Sequence, residues 1–287
     1  MDGITQAEAM AATPLAAGER ARFFTAGRFD GLECLAATFR THRYALHIHD
    51  TYVVGGILAG CETWNVRGSR RYATPGTLVF NHPHDVHDGE AYGEGYCYRM
   101  TYPSVALLQS IARDVSGVSA VGTPWFPEPV VHDPHGVALI TAAHSMLEEE
   151  GSTLAADELL SRAYGHCLVR HARIVPVPLG RERGSVARVK ALLAQRHAED
   201  LPLSMLAVEA GLSPHHLIRA FRCETGLTPH AWLINLRVEA AKARLRRGET
   251  PVAVASATGF CDQAHLTRAF KARIGVTPGV YRAAVAA

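Results

Sequence analysis

The chain has 287 residues, 48% of them hydrophobic and 20% charged, enough to bury a core in each of two domains and too apolar for a disordered, collagen-like or simple coiled-coil chain. No run nears the roughly 18 apolar residues of a membrane span, and the opening MDGITQAEAM lacks the basic and apolar regions of a signal peptide, so a soluble, cytoplasmic protein is expected. The net charge of +2 hides an asymmetry: residues 181–287 hold 16 Lys and Arg against 8 Asp and Glu, whereas residues 1–180 hold 13 against 19. An acidic half joined to a basic one fits a sensing or interaction domain coupled to a polyanion-binding domain.

Residues 1–20, rich in Ala and Gly without periodicity, read as a mobile arm, and residues 21–174 as a first domain. From Phe23 to Tyr102 short apolar runs (LECLAATF, YALHIHDTYVVGGILAG, ETWNVRG, RRYATPGTLVFN, YCYRMTYP) alternate with turn signals at Gly55-Gly56, Arg67-Gly68-Ser69 and Pro75-Gly76. That pattern predicts an antiparallel sandwich or barrel. Between about His135 and Arg173 the period becomes helical and two amphipathic helices are expected. Glu148, Glu149 and Glu150 end the first of them and read as a solvated face rather than acid catalysts. The second offers Leu159, Ala163, His166 and Arg170, with Leu160, Tyr164, Cys167 and Leu168 alongside, a surface that the barrel or a second copy of the chain must cover. The six cysteines are scattered, with no C-x-x-C pair, and read as reduced thiols.

Two prolines and two glycines mark residues 175–184 as a linker. The remainder, 185–287, reads as short helices at 185–197, 202–210, 214–224, 229–247, 251–258 and 263–273, with a last turn from Pro278. It contains an internal repeat. Leu206-Ala207 leads through Gly211-Leu212-Ser213 to His216-Leu217-Ile218-Arg219-Ala220-Phe221 and closes on Gly226-Leu227-Thr228-Pro229; Val254-Ala255 leads through Gly259-Phe260-Cys261 to His265-Leu266-Thr267-Arg268-Ala269-Phe270 and closes on Gly275-Val276-Thr277-Pro278. Each copy has the parts of a helix-turn-helix: a short helix ended by glycine, a capped second helix, and an apolar i, i+4 pair that turns the intervening arginine outward. Two such units in a basic segment match recognition helices for the DNA major groove.

This tail resembles the DNA-binding domain of the AraC/XylS family of bacterial transcription regulators. The resemblance implies two helix-turn-helix units joined by a long helix near 229–247 and entering successive major grooves. It places DNA contacts on His215, His216, Ile218 and Arg219 in the first unit and on Gln263, Ala264, His265, Thr267 and Arg268 in the second; Lys271, one turn after Arg268, reads separately as a phosphate contact. Ile218 would make apolar contact only. Cys261 stands where the family usually has a capping Ser, and Asp262 can cap in its place.

In the front domain His47-x-His49 on a strand puts both rings on one face, a metal clue by itself. The surroundings resemble a cupin barrel, whose metal motif adds a Glu and a further His; counting puts Val53 and Val79 at those positions. His82, His84 and His87 crowd the following turn, and one of them could complete a three-His site. Otherwise these histidines are structural or line a small-molecule pocket. The family resemblance extends here, to its effector-binding domain, through His47-x-His49-Asp50-x-Tyr52, Gly60, Pro75-Gly76 and Pro83…His87-Asp88-Gly89.

The expected protein is therefore α+β: an N-terminal cupin-like β-barrel with helices and a C-terminal all-α double helix-turn-helix domain. It is expected to be a regulator and not an enzyme, with no bound metal or cofactor. A small-molecule effector would meet His47, His49, Trp64, His87 and Tyr98. Double-stranded operator DNA, RNA polymerase and a second copy in a homodimer are the expected macromolecular partners. The competing readings are a cupin-type metal-dependent enzyme fused to a DNA-binding tail, and an architectural DNA binder, which would leave the front domain without a role.

Overall fold

A computed structural model of the chain describes residues 15–149, 152–178, 180 and 182–285. Residues 1–14 of the expected arm, and Glu150, lie outside the described residues. At the end of that arm Glu19 is fixed, because one carboxylate oxygen accepts the amides of Arg40, Thr41 and His42 at 2.6–2.9 Å. Burial works against its charge, but these backbone donors outweigh it and hold the carboxyl at about 2.

Of the described residues, 15–149 and 159–177 pack as one unit, and 152–158 with 178–285 as a second. The first unit is built on eight strands: β1 (Arg20–Ala26), β2 (Leu32–Phe39), β3 (Arg43–His47), β4 (Val53–Val66), β5 (Ser69–Ala73), β6 (Thr77–Asn81), β7 (His87–Tyr102) and β8 (Val130–His132). Pairing is antiparallel throughout, in the order β1-β2-β7-β4-β6-β8, with β3 also on β7 and β5 also on β4. The long strands change partners halfway: β4 leaves β6 for β5 while staying on β7, with register shifts between Ile57 and Glu62. Alternate side chains of β7, Tyr96, Tyr98, Met100 and Tyr102, face a core shared with Leu35, Phe39, Ile57 and Trp64.

Two expected turns are found, at Arg67-Gly68, where both residues have positive φ, and at Pro75-Gly76. The third is not: Gly55 and Gly56 lie inside β4. They are glycine because neighbours occupy the space a side chain would need. A Cβ on Gly55 would stand 2.2 Å from Met100 Sδ and 2.4 Å from Arg99 O, and one on Gly56 2.9 Å from Val137 Cγ1.

Three helices complete this part of the chain: α1 (Val105–Ser116), α2 (Pro134–Glu148) and α3 (Thr153–His171). The sequence reading missed α1, although Ser104 caps it, Gly117 ends it, and Leu108, Ile111, Ala112 and Val115 form its buried stripe. The wide apolar face expected on α3 is covered within the chain: Leu160, Ala163, Tyr164, Cys167 and Leu168 are buried, and the Tyr164 hydroxyl donates to Thr101 Oγ1 at 2.8 Å. Glu148 is not a solvated acid either, since it receives Arg99 at 2.5 Å and Arg22 at 3.2 Å.

The second unit holds α4 (Arg183–Gln195), α5 (Leu203–Ala210), α6 (Pro214–Thr225), α7 (Pro229–Arg246), α8 (Pro251–Ala257), α9 (Gln263–Ile274) and α10 (Pro278–Val285). The N-caps read from the sequence are in place, Ser213, Thr228, Thr250 and Asp262 each accepting the amide three residues on, and Gly211 ends α5 with positive φ. Gly259, read as the stop of the second short helix, has positive φ too but follows a C-cap at Thr258, and Gly226 and Gly275 end α6 and α9 in the same way as Gly211 ends α5. Long α7 serves two cores. Its Leu233 packs with Leu206, Leu217 and Phe221, while its Ile234, Val238, Ala241 and Leu245 pack with Val254, Leu266 and Phe270.

Candidate functional site

Period-2 alternation sends one face of β3, β4, β6 and β7 into an open pocket of about 400 Å³, mouth included. All five sequence-predicted pocket residues line it: His47, His49, Trp64, His87 and Tyr98. Val53 and Val79, which counting placed at ligand positions, line it as apolar wall. The reading missed Glu62, although it stands two residues before Trp64 on the same strand and so shares its face. It also missed Tyr44, Asn81, Asp88, Met100 and Tyr102.

Three imidazoles converge at one end. His47 and His87 are cross-strand partners of β3 and β7. His47 Nε2 lies 3.1 Å from His49 Nε2, and the His87 ring lies 4.3 Å and 5.2 Å from the other two, centroid to centroid. Two of the rings are oriented by the main chain: His47 Nδ1 donates to the Ala45 carbonyl at 2.7 Å and His87 Nδ1 to the Asp85 carbonyl at 2.8 Å. Each therefore presents Nε2 to the pocket. Burial, then the neighbouring His47, push His87 down to about 4, so it is neutral at physiological pH.

Opposite charge chemistry appears at Glu62. Burial pushes its carboxyl up to about 8 against the lowering effect of a Tyr96 hydroxyl, so near neutrality it carries a proton and can donate as well as accept. Two further polar atoms, Trp64 Nε1 and Asn81 Oδ1, are buried without a hydrogen-bond partner among the described residues. Such groups cost free energy unless something satisfies them.

The other histidines of the turn are structural. His82 Nε2 accepts the Phe126 amide at 2.9 Å, its Nδ1 meets Arg67, and its ring stacks on Trp125. His84 holds a positive φ and its amide donates to the His49 carbonyl. A second cluster outside the pocket joins His166 and His171 to Asp133, which also caps α2. Both imidazoles aim Nε2 at one carboxylate oxygen, at 2.6 and 2.8 Å, so the cluster satisfies itself as a fastening between α2 and α3.

In the second unit an offset of 49 residues superposes α6 on α9. Leu217 and Phe221, like Leu266 and Phe270, are fully buried. The opposite face carries His215, Arg219 and Arg222 on α6 and Ala264, Arg268 and Lys271 on α9, at i, i+4, i+7 spacing. Gln263, Ala264, Arg268 and Lys271 are exposed, and His215, His216, Arg219, His265 and Thr267 half-buried. Ile218 departs from expectation: at 4% exposure it belongs to the core with Leu217 and Phe221, because it lies on the inward flank of the stripe. Arg222, missed in the sequence, is exposed at the position the repeat pairs with Lys271. Thr267 Oγ1 donates to the Gln263 carbonyl, and His265 packs edge-on against Phe260.

Residues 30–163 match the AraC-like ligand binding domain and residues 206–284 match a helix-turn-helix domain. An uncharacterised HTH-type transcriptional regulator of Bacillus subtilis (strain 168), YbfI, is 29% identical over 220 residues, covering 74% of this chain and 78% of that one. The solved DNA-binding domain of AdpA, crystallised with a target DNA, is 33% identical over 35% of this chain and 91% of its own, with a TM-score of 0.34. An AraC-type regulator structure from Chromobacterium violaceum is 24% identical over 36% of this chain and 94% of its own, with a TM-score of 0.35. Among the described residues no helix is long and apolar enough to cross a membrane.

Proposed function

We propose, the chain being an AraC-family DNA-binding transcription regulator with a ligand-binding front domain, that occupation of the pocket by a small effector sets its affinity for operator DNA. The observation that carries the effector half is the pocket itself: apolar walls, three convergent imidazoles, and two buried polar atoms awaiting a partner. His47, His49, Trp64, His87 and Tyr98 hold the effector, and Glu62, on the same strand face as Trp64, reads it. On the DNA side, Arg219, Arg268, Gln263, His215, His216, His265 and Thr267 face the bases and their flanking phosphates, while Lys271 and Arg222 hold the backbone. RNA polymerase, a cytoplasmic setting and a homodimer belong to the same reading. The α3 face no longer argues for the homodimer, because the chain's own sheet covers it.

The DNA half is tested by comparing cognate and random duplexes. Arg219→Ala and Arg268→Ala should each cost about 1–3 kcal/mol on the cognate site and little on random DNA, the loss expected of a base-edge contact. Lys271→Ala should weaken both alike and lower the slope of log affinity against log salt by about 0.9. Equal losses on both duplexes for the arginine variants would move sequence readout to Gln263 and His265.

The effector half is tested with His49→Ala in the full chain. The variant should lose every ligand-induced change in operator affinity, a coupling of about 1–3 kcal/mol in typical cases, and keep ligand-free affinity within about twofold. A normal response from this variant, measured by fluorescence anisotropy across a ligand panel, would take the effector site out of the pocket.

A further inference from the structure

We infer that the three-imidazole end of the pocket is a binding site for one divalent transition-metal ion, held by Nε2 of His47, His49 and His87. The inference rests on the reading of this pocket as the effector site and names the ion as the effector, or as the part of it that the protein grips.

The donor set fits. The three ligand nitrogens lie within 4.8 Å of one another before any ion draws them in. Two imidazole nitrogens on one ion at about 2.0–2.1 Å stand roughly 2.9–3.4 Å apart, and the His47 and His49 Nε2 atoms are 3.1 Å apart already. Ring orientation is the second support. A metal-binding histidine gives one nitrogen to the ion and donates the other N–H to an acceptor that fixes its tautomer. Ala45 and Asp85 do this for His47 and His87 through main-chain carbonyls. Asp85 is itself anchored, since its carboxylate accepts the His82 amide at 2.9 Å and Arg67 Nε at 3.0 Å.

Charge is the third support. Imidazole ligands bring no charge to offset the ion's, and the pocket lining supplies the carboxylate of Asp88, the carboxyl of Glu62, which would have to give up its proton to contribute, and no Lys or Arg. A carboxylate effector would meet no fixed cation there. Imidazole donors without thiolate suit zinc, nickel, copper or iron over magnesium or calcium, and three protein ligands leave a coordination position open. The cluster of Asp133, His166 and His171 is the internal contrast, because both its imidazoles turn Nε2 to a carboxylate, whereas in the pocket the His49 Nε2–H that His47 Nε2 accepts is the proton an ion would displace.

The test uses the full chain, stripped with a chelator and titrated with Co(II), whose visible absorption reports nitrogen coordination. One ion per chain should bind. His47→Ala and His87→Ala should each weaken it beyond the roughly 10–100-fold that losing a mere orienting group costs. His166→Ala should leave it unchanged. Circular dichroism and ligand-free operator affinity confirm that the variants are folded. No Co(II) spectrum in the wild type, or one that survives His87→Ala, overturns the metal site while leaving an organic effector open to the His49→Ala test. Binding lost in both histidine variants with no change in wild-type operator affinity on loading supports the metal site and overturns the effector reading.

Discussion

Gly60→Ala should be the most damaging single substitution in the front unit, costing about 3–5 kcal/mol and lowering its denaturation midpoint to match. The position has φ +70, where a Cβ alone costs about 1–2 kcal/mol. The added carbon would also stand 1.9 Å from the Gly95 carbonyl oxygen and 2.8 Å from Tyr96 Cα, both backbone atoms of the paired strand β7. No rotamer relieves that contact, so β4 and β7 must part at the place where β4 exchanges β6 for β5. Two pocket residues of β4, Glu62 and Trp64, lie two and four residues further on. Urea melts followed by the fluorescence of Trp64 and Trp125 should show the loss, while ligand-free operator affinity stays close to that of the parent. A midpoint within about 0.5 kcal/mol of wild type would mean that the two strands are not held in this register.

Arg237→Met should be the corresponding lesion in the DNA-binding unit. Arg237 sits midway along α7 with 3% exposure, and its guanidinium donates to the carbonyls of His197 at 2.7 Å and Glu199 at 2.8 Å. Burial lowers its pKa, with Asp200 acting the other way. Methionine keeps much of the volume but leaves two carbonyls unpaired, at about 1–3 kcal/mol each. The turn they belong to has a second neighbour: a Cβ on Gly259 would meet the Ala198 carbonyl at 2.6 Å, so the second helix-turn-helix closes on the residues that Arg237 ties to α7. Operator affinity should fall at least tenfold even at a temperature where circular dichroism shows the variant folded. Affinity unchanged under those conditions would show that this turn stabilises the unit without aligning its two halves.

Legibility in the sequence followed the range of the interactions involved. The helices after Ser185 were readable almost to the residue because caps, glycine stops and i, i+4 stripes are local. Even there, Arg219 and its neighbour Ile218 could not be assigned to opposite sides, since one residue is only 100° of helix and the stripe's width is set by what packs on it. Gly55 and Gly56 looked like a turn because close approach of Met100 and Val137, not chain reversal, is what demands glycine there. His87 is legible as a pocket residue beside His47 and His49, but its place opposite His47 is set by the β3–β7 register, which pairs residues 40 apart in sequence. Counting placed Val53 and Val79 at ligand positions, where they line the pocket as apolar wall, while the geometry of the three imidazoles depends on strand register that counting does not carry. Helix α1 carries a Ser104 cap and a buried stripe as local as those after Ser185, yet it lies between the β-pattern and the two longer helical runs, whose signals are stronger.

The sharing of α7 between both helix-turn-helix cores has a consequence for the genome. No tether separates the two helix-turn-helix units, so, if both read DNA as proposed, they meet it as one piece and cannot swing to follow a shifted target. B-DNA turns once in about 10–10.5 base pairs, so a single inserted base pair rotates the second contacted segment by roughly 35° and carries it about 3.4 Å away. Sites served by this regulator should therefore tolerate letter changes within each contacted segment far better than any change in the number of base pairs between them. A search for its regulon should hold that spacing fixed and let the letters vary.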